Sequence, residues 1–303
     1  MKVLICIGGP TASGKTALAI DTALELGAEI ISFDSRQIYK ELNIGVAKPD
    51  EEDLKKVNHY FINHISIHEK FTAADFETQA FALLNDLFEK SDLVVAVGGT
   101  GLYINALLNG LDEMPPITPE AEKEIDSKFI ENGLSWLQEY ITLNDSAYAK
   151  VVDMNNHVRL LRAAKLMLSS GKKFSDFRTG IKKPRSFKAL KFFIDPERDV
   201  LYDRINFRVD MMIDAGQIEE ASSLQKFAEL RSLQTVGYSE LFSYFKGEIS
   251  IEEAIDKIKQ NSRRYAKRQF TWFRNQGDWL PLKGVDKEID LKIIKQAIND
   301  LEV

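Results

Sequence analysis

The segment Gly9-Pro-Thr-Ala-Ser-Gly14-Lys15-Thr16 constrains the fold more than any other part of this chain. It matches G-x-x-x-x-G-K-[S/T], and it stands where that pattern has physical meaning. Residues 3–7 before it are apolar throughout, as a fully buried parallel strand is. After it, residues 16–26 carry a helical stripe of Leu18, Ala19, Thr22 and Leu26, and Gly27 stands where a helix would end. A strand that passes through such a turn into a helix aims backbone N–H groups at an anion, and the helix adds its positive end. Gly9 and Gly14 let the chain curl around Thr11, Ala12 and Ser13. Lys15 brings a full charge to the phosphate oxygens, and the Thr16 hydroxyl is the candidate ligand for Mg2+. The loop specifies a di- or triphosphate, ATP included. It does not specify that a phosphoryl group moves.

Residues 28–33, 93–97 and 189–194 read as further buried strands, and residues 73–90 as an amphipathic helix between two of them. Strand and helix alternating in this way predict an α/β fold with a P-loop parallel-sheet core. From residue 118 to about 173 only helical periodicity remains, with turns at Gly133 and Asn144-Asp145. The expectation is an inserted all-helical domain, with a first core part at 1–114, the insert at 115–185 and a second core part at 186–303. Residues 198–215, 217–229 and 251–275 read as helices of that last part.

Composition excludes several classes. The single cysteine, Cys6, allows no internal disulfide, and it sits in the first strand as a small apolar residue. The histidines, His59, His64, His68 and His157, form no HExxH pair, and they read as structural or exposed groups. The N-terminal apolar run is too short to span a bilayer and enters Gly and Pro directly, so no membrane association and a cytoplasmic location are expected. A net charge of −6 argues against coating nucleic acid through a global field, but not against a local basic face. No exposed apolar stripe stands out, and a monomer is expected.

Two more turns fall on the sheet edge that carries the phosphate loop, because ligands bind at the carboxyl ends of parallel strands. Asp34-Ser35-Arg36-Gln37 follows the second strand. The Asp34 carboxylate there can take a proton from a nucleophile, and Ser35 and Gln37 can hydrogen-bond a base or sugar. The same residues could instead cap a helix. Gly98-Gly99-Thr100-Gly101 follows residues 93–97. Triphosphatases with this loop usually carry a magnesium-binding Asp at such a strand end, and here the strand runs into Gly98.

Taken together, GPTASGKT (9–16), DSRQIY (34–39), IGVAKP (44–49), GGTGLY (98–103), VGY (236–238) and KRQFTWFR (267–274) resemble the tRNA dimethylallyltransferase family, in order and along nearly the whole chain. The resemblance implies transfer of a dimethylallyl group from dimethylallyl diphosphate to the exocyclic amine of the adenosine 3′ of the anticodon, with Mg2+ as cofactor. It implies that Thr11, Ala12, Ser13, Gly14, Lys15 and Thr16, with Gly9, hold the diphosphate. Asp34 would be the general base, Thr100 its neighbour in the reaction centre, and Arg208 a diphosphate contact. It implies that tRNA is met by Asp34, Ser35, Arg36, Gln37 and Thr100, by Val158, Arg159 and Arg162, by Gln234, Gly237 and Tyr238, and by Lys267, Arg268, Gln269, Trp272 and Arg274. The chain departs from the family at Val46, commonly Thr, and at Gln234, commonly basic. The chemistry agrees with these roles. An adenine amine is a poor nucleophile that a carboxylate helps. Diphosphate leaves well only where its growing charge is neutralised. A loop that holds a leaving diphosphate also needs no kinase-type metal clamp, which accounts for the missing strand-end Asp.

Residues 255–274 hold Lys257, Lys259, Arg263, Arg264, Lys267, Arg268 and Arg274 against one anion, Asp256. On a helix, Lys257, Arg264, Lys267 and Arg274 share one face, and Ile251, Ile255, Ile258, Tyr265 and Trp272 line another. A one-signed run in an acidic chain predicts an RNA-phosphate surface. The target base would have to leave its stack to reach the crevice, and the inserted domain could close over the anticodon loop as the resemblance implies. Trp136, Trp272 and Trp279 fit either a core or a base-stacking role. Three rivals follow from the same residues: a prenyltransferase acting on free adenine nucleotide, a P-loop phosphotransferase or NTPase, and a non-catalytic tRNA-binding protein.

Overall fold

In the computed structural model, which describes residues 1–302, six parallel strands form one sheet in the order β3-β2-β4-β1-β5-β6. They are β1 (Val3–Gly8), β2 (Ile30–Ser32), β3 (His59–Tyr60), β4 (Leu93–Gly98), β5 (Lys188–Ile194) and β6 (Leu280–Leu282). Alternation along β1 explains why it is apolar throughout. Leu4 and Cys6 join one core with Ile31, Phe33, Phe76 and Ala96. Val3, Ile5 and Ile7 join a second with Leu18, Ala19 and Ala23, on the other face of the sheet. Helices on both faces exclude water from both, as a parallel sheet requires.

The register delivers the site. Gly8 of β1 lies opposite Gly98 of β4, and Ser32 of β2 lies opposite Val97. The turns after β2, β4 and β1 therefore leave three adjacent strands at one level of one edge. Helix ends are set by local chemistry. Gly27, at φ +60°, closes the helix Lys15–Leu26 with its N–H on the Ala23 and Leu24 carbonyls. Reciprocal capping boxes start two long helices, Thr72 with Asp75 before Ala73–Phe88 and Ser250 with Glu253 before Ile251–Arg274.

The chain divides into two compact units, Met1–Asn109 with Pro184–Val303, and Gly110–Lys183. The second unit begins and ends somewhat earlier than the expected 115–185. It is all-helical and has its own core, which includes Leu137, Ile141, Leu160, Ala163 and Met167, with Trp136 packed beside it. Gly133, at φ +70°, breaks its long helix Pro119–Asn144. The buried Asp145 ties two segments of this unit by accepting bonds from Tyr148 N (3.0 Å), Ser175 N (2.7 Å) and Ser175 Oγ (2.8 Å).

Cys6 is buried as expected. Among the described residues, no helix is long and apolar enough to cross a membrane. Elements not foreseen include β3, β6, the helices Glu51–Lys56, Gly101–Asn109 and Ser239–Phe245, and the helix Lys287–Glu302, whose Ile294 and Ile298 complete the second core.

Candidate active site

The phosphate loop takes its shape from two left-handed residues. Gly14, at φ +89°, opens the helix Lys15–Leu26, and Ala12 adopts φ +61°. The strain at Ala12 is offset by packing, since its side chain meets Leu201, Ile205, Ala266 and Phe270 from two helices. Ser13 Oγ is buried and has no hydrogen-bond partner among the described residues. Lys15 Nζ donates to the Pro10 carbonyl at 3.1 Å, across the mouth of the loop. Burial pulls the Lys15 ammonium down to about 8, with Asp34 opposing the shift and Arg208 adding to it. Lys15, Asp34 and Arg208 are therefore close enough to feel one another's charge.

Asp34 caps its own turn and lines the cleft beside the phosphate loop. Its Oδ1 accepts from Arg36 N (2.8 Å) and Gln37 N (3.3 Å), the cap role anticipated for this turn. Among the described residues its Oδ2 accepts no hydrogen bond. A narrow cleft brings Asp34 together with Lys15, Thr16, Ser32, Ile62 and Val97. Thr100 Oγ1 accepts from Ser35 N at 3.1 Å and donates to Ser35 Oγ at 3.2 Å, so the turns after β2 and β4 are locked together.

The segment 44–49 folds over this edge. Its Val46 and Ala47 carbonyls accept from Gln37 Nε2 at 3.3 and 3.0 Å. Arg208 Nη2, from the helix Arg198–Asp214, donates to the Ala47 carbonyl at 3.2 Å. Burial lowers the Arg208 pKa, and Asp34 works against that shift. Lys48 Nζ fixes the far end of the segment on the Tyr39 carbonyl (2.6 Å) and Asn63 Oδ1 (2.5 Å).

The residues fit a magnesium ion of the kind that a diphosphate brings with it. Among the described residues no cluster of three His, Cys, Asp or Glu could cage a metal. Mg2+ asks for less than a cage, since it keeps waters and phosphate oxygens around one or two protein oxygens. The Thr16 hydroxyl lines the cleft and is such a hard oxygen donor.

The predicted RNA residues divide into three groups. Lys257, Arg264, Lys267 and Arg268 are exposed along the helix Ile251–Arg274. Gln234 is exposed, and on the second unit so are Val158, Arg159 and Arg162. Three other cations of the basic run are already engaged: Lys259 with Asp210 at 2.6 Å, Arg263 with Asn206 at 2.5 Å and Arg274 with Asp195 at 2.6 Å. Arg36 is turned inward, donating to the Ser232 carbonyl at 3.1 Å.

The third group corrects the expectation. Gly237 and Tyr238 are buried, and the Tyr238 hydroxyl donates to Glu220 at 2.5 Å. Glu220 also accepts from the N–H groups of Asn43 (3.1 Å), Ile44 (2.8 Å) and Gly45 (3.0 Å). Gly237 and Tyr238 thus form a buttress under segment 44–49 and present no surface to RNA. Gln269 is buried too, with Oε1 accepting from Thr11 N at 3.0 Å and Nε2 donating to the Gly99 carbonyl at 2.9 Å. The Thr11 N–H is therefore spent within the protein and is not free for a phosphate. Trp272 is half-buried and packs so tightly on Gly101 that a Cβ there would collide with its ring. Trp279 is a core residue in edge contact with Phe273.

One site residue escaped the sequence reading. Tyr265 lies beside Thr100, and burial and then the Asp34 charge push its phenol up to about 12. Its aromatic character placed it on the apolar stripe. Its spacing, four residues before Gln269 and seven before Trp272, was the available signal that it faces the glycine turn.

Comparison with known proteins gives the chain's family. The sequence model of the family described as IPP transferase matches residues 37–276. The chain is 47% identical over 298 residues to a tRNA dimethylallyltransferase of Christiangramia forsetii, covering 98% of each protein. It is 42% identical over 305 residues to the tRNA dimethylallyltransferase of Flavobacterium psychrophilum, covering 99% of this chain and 98% of that one. Among solved structures, a full-length tRNA isopentenylpyrophosphate transferase of Bacillus halodurans superposes with a TM-score of 0.74 at 34% identity, over 100% of this chain and 97% of that one. A eukaryotic dimethylallyltransferase acting on tRNA superposes with a TM-score of 0.79 at 25% identity, over 94% of this chain and 75% of that one. On the family model and on these full-length identities, the chain belongs to the IPP transferase family.

Proposed function

We propose that this protein is a tRNA dimethylallyltransferase that uses dimethylallyl diphosphate to prenylate the exocyclic amine of the adenosine 3′ of the anticodon. The observation that carries the reading is the cleft at the end of the phosphate loop, where Lys15, Thr16 and Asp34 meet beneath the segment that Arg208 holds through the Ala47 carbonyl. In this reading the amine nitrogen attacks C1 of the dimethylallyl group. The C1–O bond breaks, and its electron pair leaves with the diphosphate. The amine proton goes to Asp34, whose Oδ2 accepts no hydrogen bond among the described residues while Oδ1 is anchored. Lys15 and Arg208 offset the charge that develops on the leaving oxygens, where such help lowers the barrier. Ser13 Oγ, buried and unpartnered, is available to a phosphate oxygen. Mg2+ held by Thr16 would supply further neutralisation of the diphosphate. Lys257, Arg264, Lys267 and Arg268 would meet tRNA phosphates, with Arg159 and Arg162 of the second unit as a further grip. An enzyme of this kind acts where tRNA is, in the cytoplasm, and needs no second copy of the chain to complete the residues named.

Purified protein, magnesium and labelled dimethylallyl diphosphate, mixed with unmodified tRNA or with AMP and digested afterwards, test the reading. Label on the adenosine next to the anticodon, with AMP untouched, is the expected result. Label on AMP alone would make the chain a free-nucleotide prenyltransferase and overturn the tRNA reading.

A further inference from the structure

The helix Ile251–Arg274 has two working faces. Tyr265, Gln269 and Trp272 lie at i, i+4 and i+7 and rest on consecutive parts of the glycine turn after β4. Tyr265 lies beside Thr100, Gln269 bonds the Gly99 carbonyl, and Trp272 covers Gly101. Lys267 and Arg268, in the same turn of helix as Gln269, face solvent. Gln269 reaches further than its neighbours. Only 6% exposed, it spends its donor on Gly99 and its acceptor on the Thr11 N–H. Among the described residues it is the one side chain that hydrogen-bonds both the phosphate loop and the turn after β4. A Cβ at Gly99 would collide with its amide, so the fit leaves no slack.

We propose that Gln269 is a positioning residue that makes binding of the RNA and of the prenyl diphosphate cooperative. This rests on the reading that the phosphate loop holds the diphosphate and that Lys267 and Arg268 hold RNA phosphates. RNA on those two cations restrains the turn of helix that carries Gln269. Thr11 and Gly99 are then restrained through its amide. The diphosphate meets a loop already ordered, and that ordering cost no longer weakens its binding. Linkage requires the converse, that the diphosphate tightens the RNA by the same factor.

Calorimetry on the full-length protein tests this with the unreactive thiolo analogue of dimethylallyl diphosphate, titrated with and without an unmodified anticodon stem-loop. In the wild type the RNA is expected to tighten the analogue by about 10-fold, within the usual range of coupling between sites. In Gln269→Leu, which removes both bonds, that ratio falls to near one, while affinity for RNA alone changes little. Gln269→Glu keeps the acceptor for Thr11 but sets a carboxylate oxygen against the Gly99 carbonyl, and it also loses most of the ratio. Should the leucine variant fail to fold, as judged by its melting curve, the near-isosteric glutamate variant decides. A wild-type ratio of one, or variants that keep the wild-type ratio, overturns the coupling. A wild type that binds no analogue, with or without RNA, overturns the diphosphate reading itself and the coupling with it.

Discussion

The Glu220 carboxylate and the Tyr238 hydroxyl meet at 2.5 Å, and this pair holds the segment that carries the carbonyl partner of Arg208. Glu220 closes the arrangement by accepting from the N–H groups of Asn43, Ile44 and Gly45. Tyr238→Phe removes one bond and leaves the others, so a loss of about 1 kcal/mol is expected. Glu220→Ala leaves several donors without an acceptor and is expected to cost roughly 3 kcal/mol or more. Denaturant midpoints at constant slope check both. The alanine variant should also bind prenyl diphosphate more weakly, since Ala47 no longer orients Arg208. Equal stability of the two variants would remove Glu220 from this role.

Asp34→Asn is the sharper test of chemistry. The amide oxygen can still accept from Arg36 and Gln37, so the turn is expected to survive. What is lost is the base. A fall in kcat of about 10²- to 10⁴-fold is expected, with the affinity for prenyl diphosphate nearly unchanged. Single-turnover rates at saturating diphosphate measure it. A variant within threefold of wild type would leave the proton to another acceptor.

The sheet core was legible because β1 and β4 are apolar runs, because prolines bracket β5, and because the phosphate loop fixes what stands on each side of it. The strands β3 and β6 were not legible for the converse reason. His59–Tyr60 is too short to show a period, and Leu280–Leu282 has Pro281 at its centre. Within the site, residue types were readable from sequence but directions were not. Asp34 and Lys15 follow strands, so topology alone aims them at the edge. Tyr238 and Gln269 lie in motifs that the resemblance assigns to RNA, and only the fold shows them turned inward to Glu220, Thr11 and Gly99. Tyr265 was misread for the same reason, because an aromatic residue on a helix stripe can serve a core or a site equally well.

Lys15 gives a pH dependence whose sign is fixed. Its pKa falls from 10.5 to about 8 on folding, so between those values the unfolded chain binds the extra proton. Its contribution therefore favours folding more as pH rises through that window, and the cost of burying its charge is fully felt below about pH 8. Ligand binding runs the other way, because the diphosphate needs the cation. Near pH 8.5 binding of prenyl diphosphate should take up protons, read from calorimetric heats in buffers of different ionisation enthalpy. Lys15→Met should bind weakly and lose that uptake. Proton uptake unchanged in the variant would assign it to another group.

The exposed cations of the helix Ile251–Arg274 make a prediction that salt can read. Lys267 and Arg268 are exposed, and neither forms an ion pair among the described residues, whereas Arg274 is tied to Asp195. Each cation that neutralises an RNA phosphate adds roughly 0.7 to 0.9 to the slope of log affinity against log salt. Lys267→Ala with Arg268→Ala should therefore weaken tRNA binding at low salt and flatten the slope by about 1.5. Arg274→Ala should leave the slope nearly as it was, since its charge is already answered within the protein. Filter binding of one unmodified tRNA from low to moderate salt distinguishes the two. A slope that Arg274→Ala flattens and the double variant does not would place the RNA along the Asp195 side of the helix and away from Lys267 and Arg268.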